Sequence, residues 1–300
     1  MAAITLAEYA KTVTDPLRRG IIETSYEEEP LYGIIPFRSI PGLALPYNQE
    51  IALPGVSFRN INEAYTATHG VVNRLTEVVR PFGGESDTDT VLVDAYGMEE
   101  RTTKDRMFAK AMAVKYIQTM FYSNSAARNP SFTDAKAFDG IEARISAAQT
   151  VDGLGTGASD GSSVFALRFG DGYVQGLQTP AGLAVKDLGE IDDTPAYRTR
   201  IQHVAGLAIF HGRAVGWIKD LRAASSNLTV DLMNDLRDVI VGTPDVYVMS
   251  RRSRSQLFSS AIGGGLQLGL TIDALGRPVE SWGGVPIYVS DAVLDTETMP

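Results

Sequence analysis

The run Gly157–Ala158–Ser159–Asp160–Gly161 has the spacing of a nucleophile elbow, in which a strained strand-to-helix turn presents a serine hydroxyl. That chemistry needs a strand before the turn, a helix after it and a histidine base within reach. Here a glycine-rich stretch comes first, with four Gly and three Ser between Gly153 and Ser163, and a strand-like run, Val164 to Phe169, follows. Only His69, His203 and His211 could supply the base. A serine hydrolase built on Ser159 is therefore the weaker alternative, and a loop is the expected structure. Gly153, Gly155 and Gly157 also have the look of a phosphate cradle. A dinucleotide fingerprint must open a helix, however, and the Gly-Lys-Ser/Thr ending of a Walker loop is absent.

His203 and His211 lie eight residues apart in strand-like sequence and share a side by parity, but no third ligand accompanies them. The chain has no Cys, so thiolate metal sites and disulfides are excluded. No catalytic residue, metal or cofactor is expected. Glu27–Glu28–Glu29 reads as a solvated acidic stretch. Arg251, Arg252 and Arg254 form the densest basic cluster, able either to touch phosphates or to sit in an ion-paired face. Their place at the start of a helix is unfavourable for the dipole. No arrangement unites acid, base and nucleophile, and the expectation is a protein that is not an enzyme.

The elements that would position these residues are legible in outline. A chain of 300 residues, 44% hydrophobic and 21% charged, can bury a sizeable core. A net charge of -9 and a pI near 4.9 argue against a surface that grips nucleic acid everywhere. Residues 1–30 lack a basic start followed by an apolar core, and apolar runs are too short to span a bilayer. A soluble, non-secreted chain with no membrane partner is expected.

From Gly97 to Ser123 the sequence predicts one long helix, free of Pro and Gly after Gly97. Met107, Ala111, Val114, Ile117 and Phe121 form its predicted buried stripe, and Glu100–Lys104 and Arg101–Asp105 its exposed ion pairs. Before it, residues 1–32 read as an arm. Residues 33–95 read as extended chain, with Pro36, Pro41, Pro46 and Pro54 excluding helix. Strand-like pieces there are Ile34–Phe37, Leu43–Tyr47, Val71–Val79 and, after a break at Gly83–Gly84, Val91–Val93. So much extended chain buries little by itself, and its aromatic content favours ordering by a partner chain.

Past the helix, Phe138–Ile145 predicts a short helix. Gly170–Asp171–Gly172 predicts a hairpin between Phe165–Phe169 and Tyr173–Val174. A second strand system, Tyr197 to Leu221, is punctuated by Gly206, Gly212 and Gly216. Thr229 is placed to cap a helix carrying Leu232, Leu236, Val239 and Ile240, and Ser250 a second one carrying Leu257, Phe258 and Ala261. With strands at Val246–Met249 and Val285–Val289 this makes an α/β layer.

With these pieces in order, the chain resembles the major capsid proteins of tailed bacteriophages, of the Hong Kong 97-like fold. The residues that carry the resemblance are Val56 to Glu63, Thr76–Glu77, the long helix, Phe138–Asp139–Gly140–Ile141 and Val164 to Phe169. Asp187–Leu188–Gly189–Glu190, Tyr197–Arg198–Thr199, Gly206 to Ile209, Gly284 to Ile287, Asp291 and Thr296–Glu297 continue it. The resemblance implies an α+β chain. It would comprise an N-terminal arm (1–32), an extended loop (33–95), a peripheral domain with spine helix and long strands (96–228) and an axial α/β domain (229–300). In the best-known members the long strands come late, whereas their counterparts here precede the axial block, which leaves the boundaries open.

The function implied is a structural one: self-assembly, through pentamers and hexamers, into an icosahedral phage head that encloses double-stranded DNA. Phe37, Tyr47, Phe58, Arg59, Glu63 and Glu77 of the extended loop would meet a neighbouring subunit, and the arginine cluster would face the lumen or pair with acids. DNA contact would be weak and non-specific. Portal, cement or separate scaffold proteins are possible partners, since no large scaffolding segment precedes the arm. Assembly would take place in the host cytoplasm, and the product would be the virion capsid. An encapsulin-like shell enclosing enzymes is the alternative within the same fold. Some members weld subunits through a loop lysine, but no Lys occurs between Lys11 and Lys104, so no such bond is expected.

Overall fold

A computed structural model describes residues 4–14, 16–125, 130–156, 159–191, 194–222, 226–265, 268–272 and 278–298. A two-residue strand, β1 (Ile4–Thr5), leads into three helices, α1 (Leu6–Thr12), α2 (Pro16–Glu28) and α3 (Pro30–Ile34). Thr5 closes a capping box with Glu8, which starts α1. Leu6, Ala10, Ile21, Ile22, Leu31 and Tyr32 are buried in the main core. The segment expected to be an arm therefore supplies core side chains. Glu29, expected in a solvated acidic run, is buried and accepts from the Ser290 hydroxyl at 2.8 Å.

The chain continues through β2 (Pro36–Ser39), a ribbon of β3 (Ala44–Ala52) and β4 (Val71–Val78), then β5 (Arg80–Asp89) and α4 (Thr90–Tyr96). Two expectations for the extended segment are corrected here. Val91–Val93 lies in a helix, because Asp89 caps it by accepting from the Val91 N–H at 2.8 Å. Gly83–Gly84 sits inside β5 and breaks nothing. A β-carbon on Gly83 would lie 2.2 Å from the Ile201 carbonyl oxygen, and one on Gly84 2.7 Å from the Phe108 ring, so glycine lets strand and helix approach.

The long helix α5 (Met98–Tyr122) has 25 residues, a rod of about 37 Å. Its buried face is Arg101, Asp105, Ala109, Met112, Tyr116 and Met120. The predicted stripe holds only for Ile117 and Phe121; Met107 is 65% exposed, Ala111 is exposed and Val114 half-buried. The expected Arg101–Asp105 pair on the outside is also replaced. Both residues are buried, and Arg101 turns to Asp187 and the Thr199 hydroxyl.

After α6 (Ile141–Arg144) come β6 (Thr150–Asp152), β7 (Gly161–Leu167), β8 (Val174–Ile191), β9 (Thr194–Ile209) and β10 (Val215–Arg222). Then follow α7 (Val230–Val239), β11 (Val246–Met249), α8 (Arg251–Gly263), β12 (Gly269–Ile272), β13 (Pro278–Trp282) and β14 (Val285–Val289). Among the described residues the strands form a five-stranded sheet ordered β1-β2-β8-β9-β5, a seven-stranded sheet ordered β12-β13-β14-β11-β7-β10-β6, and the separate ribbon.

The hairpin expected at Gly170–Gly172 does not form, because β7 and β8 belong to different sheets. Leu167 pairs with Val215 on one side and Val246 on the other. Thus β7 and β10, expected among the long peripheral strands, stand in the sheet of the C-terminal third. β7 is buried throughout: Val164 and Ala166 face a core under α7 and α8, and Phe165 and Leu167 face the main core. Gly206 and Gly216 lie within β9 and β10 and interrupt neither. As expected, Thr229 and Ser250 cap α7 and α8, accepting from Leu232 and Ser253 N–H groups. On α8, Leu257 and Ala261 are buried, but Phe258 is turned outward. No helix among the described residues is long and apolar enough to cross a membrane.

Candidate assembly surface

The β3–β4 ribbon leaves the body at a small apolar root, where Ile40, Val79, Leu177 and Ala208 are buried with Leu45 and Phe210 against them. Register places Leu45 opposite Glu77 and Tyr47 opposite Leu75, so Tyr47 and Glu77 are diagonal neighbours on one face. The Tyr47 hydroxyl lies 3.1 Å from Glu77 Oε1 and 3.0 Å from the Ile209 carbonyl, and its ring meets Phe210 edge-on at 4.9 Å. Arg144 closes the set with Glu77 at 2.9 Å. Burial raises the Glu77 carboxyl, against the pull of the Arg144 guanidinium, and burial together with Glu77 raises the Tyr47 phenol well above its ordinary range. These groups hold the root of the ribbon to the body. They can hold charge and shape; they offer no nucleophile.

Beyond the root, every residue from 53 to 74 is exposed. The tip is stitched internally. Thr68 donates to the Gly55 carbonyl at 2.8 Å, Arg59 donates to the Glu63 carbonyl at 3.1 Å, and the Asn60 N–H reaches the Glu63 carboxylate at 2.9 Å. The Arg59 guanidinium stands 4.9 Å over the Tyr65 ring. Leu53, Val56, Phe58, Ile61 and Tyr65 all point into solvent. An apolar set of this size on one projecting element is the kind of patch that contact surfaces carry.

The expected interface residues thus divide. Phe58, Arg59 and Glu63 share the tip. Tyr47 and Glu77 take partners within the chain. Phe37 is corrected: it is 1% exposed, packed in the chain's own core beside Tyr116 and His203. Missed by the sequence were Arg144, which no local signal links to Glu77, and Leu53, Val56 and Ile61, whose spacing has no period to mark a face.

The other candidates are scattered. Ser159 is an exposed bend between β6 and β7, with strand rather than helix after it, and Gly157 and Ala158 fall outside the described residues. His203, on β9, is fully buried, its Nδ1 2.8 Å from the Tyr32 hydroxyl and Nε2 3.2 Å from Gln178 Oε1. Burial pushes its pKa down to about 3, so it stays neutral and ties α3 to β8. His211 accepts from the Arg213 N–H. Each arginine of the basic cluster has a carboxylate. Arg251 pairs with Asp291 at 2.8 Å, Arg252 with Asp295 at 3.4 Å, and Arg254 holds Glu280 with two nitrogens. Among the described residues, no group of three or more His, Asp or Glu could hold a metal ion.

No curated protein matches the chain in sequence. Among solved structures, the chain is similar to that of bacteriophage Epsilon15, with a TM-score of 0.63 and 17% identity over 87% of this chain and 86% of that one. Weaker likenesses include the bacteriophage JBD30 capsid (TM-score 0.49, 9% identity, 85% and 88% covered). Another is the holo-SrpI encapsulin complex from Synechococcus elongatus PCC 7942 (0.46, 12%, 65% and 88%). The fold is the Hong Kong 97-like capsid fold. A family model for the major capsid protein GP7 matches residues 50–299, a span that takes in the ribbon tip, α5, the seven-stranded sheet and strands β5, β8 and β9 of the five-stranded one, and the chain belongs to that family of structural phage proteins.

Proposed function

We propose that the chain builds an icosahedral phage head from pentamers and hexamers of itself, with each β3–β4 ribbon lying on a neighbouring subunit, around packaged double-stranded DNA. The observation that carries this reading is the ribbon: residues 53–74 are all exposed, yet hold Leu53, Val56, Phe58, Ile61 and Tyr65. Side chains of that kind become stable once covered, and obligate assemblies cover them in large apolar interfaces. In this reading the ribbon is the extended loop. The five-stranded sheet with α5 is the peripheral part, and the seven-stranded sheet with α7 and α8 the axial part. Phe58, Arg59 and Glu63 meet the neighbour, while Tyr47 and Glu77 set the angle at which the ribbon leaves. DNA contact is weak and non-specific, because the densest arginine cluster already pairs with carboxylates. Assembly in the host cytoplasm, with portal, scaffold or cement proteins, completes the proposal.

Replacing residues 53–70 by a short Gly-Ser link tests it. The deletion removes only exposed chain, so circular dichroism should be unchanged while negative-stain images show no closed shells. Normal shells from the deleted chain would overturn the proposed role of the ribbon.

A further inference from the structure

Four Asp-Gly pairs occur in the chain, at 139–140, 152–153, 160–161 and 171–172. Glycine has no side chain to bar its amide nitrogen from the preceding aspartate Cγ, so such pairs can cyclise. The reaction needs that nitrogen free of a hydrogen bond and the carboxyl free to turn towards it. The fold withholds both at three of the pairs. The Gly140, Gly153 and Gly161 N–H groups donate to the carbonyls of Ser123, Lys219 and Glu297 at 2.9, 2.9 and 3.1 Å. The carboxylates are held as well: Asp139 accepts from Asn124 at 2.8 Å, Asp152 from the Leu154 N–H at 2.8 Å, and Asp160 from Arg222 Nε at 3.0 Å. The pair at 171–172 differs in both respects. It forms the centre of a turn closed by the Tyr173 N–H on the Gly170 carbonyl at 3.1 Å. Among the described residues the Gly172 N–H has no acceptor, and a β-carbon there would meet nothing within 4 Å. The Asp171 side chain is 93% exposed, and the Arg38 guanidinium stands 3.7 Å from it, beyond hydrogen-bond reach. Gly170 and Gly172 both have positive φ, so glycine on either side can absorb a rotation of the backbone.

We propose that Asp171 is the residue at which the folded chain converts, without an enzyme, to isoaspartate. The Gly172 nitrogen attacks Cγ of the protonated Asp171 carboxyl and gives up its proton. The new C–N bond closes a succinimide, and the carboxyl hydroxyl leaves with a proton as water. Water then reopens the ring at either carbonyl. Opening at Cγ restores aspartate; opening at the α-carbonyl leaves the chain running through Cγ, with a free α-carboxylate beside it. One water leaves and one returns, so the mass is unchanged and no oxidant is consumed. The product lengthens the backbone by one methylene in the segment that passes from β7 in the seven-stranded sheet to β8 in the five-stranded one. It also creates the group that S-adenosylmethionine-dependent L-isoaspartyl methyltransferases recognise. The inference stands whether or not the ribbon docks on a neighbour.

The test keeps the full chain folded near neutral pH and, in parallel, unfolded in urea, and samples both over time. Isoaspartate is counted by methyl transfer from labelled S-adenosylmethionine with a purified L-isoaspartyl methyltransferase, and placed by electron-transfer fragmentation of the peptides. In the folded chain residue 171 should carry at least about tenfold more isoaspartate than any of the other three sites, each of which must first open locally. In urea the four sites should react at comparable rates. Asp171→Glu, whose larger ring closes slowly, should remove the signal of the folded chain. Asp171→Asn, which reaches the same succinimide by losing ammonia, should speed it. The side chain is exposed, so circular dichroism should show both variants folded. The proposal falls if no isoaspartate forms at 171 in the folded chain, or if it is spread evenly over the four pairs or concentrated at another. It also falls if Asp171→Glu leaves the signal in place.

Discussion

Two alanines on α5, Ala109 and Ala111, separate the orientation of this helix from every other contribution to its stability. Ala109 is 0% exposed, and its carbonyl lies 3.5 Å from the Ser25 hydroxyl of α2; Ala111 faces solvent. Aspartate costs about 0.7 kcal/mol in a helix interior wherever it is placed, so that amount cancels between the two variants. Ala109→Asp additionally buries a carboxylate without a built partner, at about 3 kcal/mol, and forces extra atoms between α2 and α5, at about 1–3 kcal/mol. Ala111→Asp should stay within about 1 kcal/mol of the parent. The expected difference, about 4–6 kcal/mol, is a large share of a typical total of about 5–15 kcal/mol. Urea unfolding of the unassembled chain would read it, following Trp217, which is buried and stacked on Phe165 at 6.1 Å. With a slope of about 3 kcal/mol per molar, the Ala109→Asp midpoint should drop by about 1 M or more relative to Ala111→Asp. Equal midpoints, or a lower one for Ala111→Asp, would refute the orientation of α5.

Ser159→Ala should change stability by no more than a few tenths of a kcal/mol, about the effect of any exposed loop substitution; covalent labelling of Ser159 by a fluorophosphonate probe would contradict its assignment to a loop. Burial raises the Asp105 carboxyl above its ordinary range, against Ser86, Thr199 and Arg101. Since its folded pKa exceeds its unfolded one, its contribution is fully present below about pH 4 and lost as pH rises through the folded value. Asp105→Asn should therefore gain on the parent chain in thermal unfolding between acid and neutral pH, and a parallel pair of pH profiles would show the sign to be wrong. The ribbon's described cations are all arginine, whose guanidinium keeps its proton and cannot attack an amide carbon. Particles boiled in SDS should release the chain at its monomer mass of 32.3 kDa, and a covalent ladder traced by mass spectrometry to residues 33–95 would overturn this.

What could be read from the sequence was what local chemistry decides. Gly97 and Ser123 bound α5, and Thr229 and Ser250 cap α7 and α8, because a cap or a breaker acts within one turn. The buried face of α5 escaped because apolar residues occur on both sides of it. The choice between the two sides is made by Thr199, Asp187 and Phe82, all distant in sequence. The Gly170–Gly172 turn looked like a hairpin for a similar reason. Phe165 and Val174 are both strand-like, but Leu167 finds its partners at Val215 and Val246, and no short-range signal announces that. At the candidate assembly surface, Phe58, Arg59 and Glu63 stood out by residue type. Phe37 did so too, and it is buried because Gly176 opens room for its ring against β8.

The two sheets share one core, and the C-terminal end of α5 is what joins them. Phe121 stacks on Phe165 of the seven-stranded sheet at 4.3 Å, while five residues earlier Tyr116 packs on Phe37 and donates to the Gly206 carbonyl in the five-stranded sheet. Tyr122 then donates to the buried Glu297 at 2.7 Å and accepts from the Leu294 N–H at 2.9 Å, tying the last described turn to the helix. Rotating one sheet against the other would break these contacts together, in a densely packed interior with little room for partial adjustment. The ribbon is held differently, by four buried apolar residues at its root and the Tyr47–Glu77–Arg144 set. A head-to-tail contact closes into a ring only if its angle is repeated, and rings of five and six need slightly different angles. Among the described residues, in a body whose two sheets are joined by α5, the root of the ribbon is a lightly held junction, and in the proposed head it would supply that difference. Arg144→Ala should therefore alter the size distribution of the shells while leaving the unfolding midpoint of the body nearly unmoved.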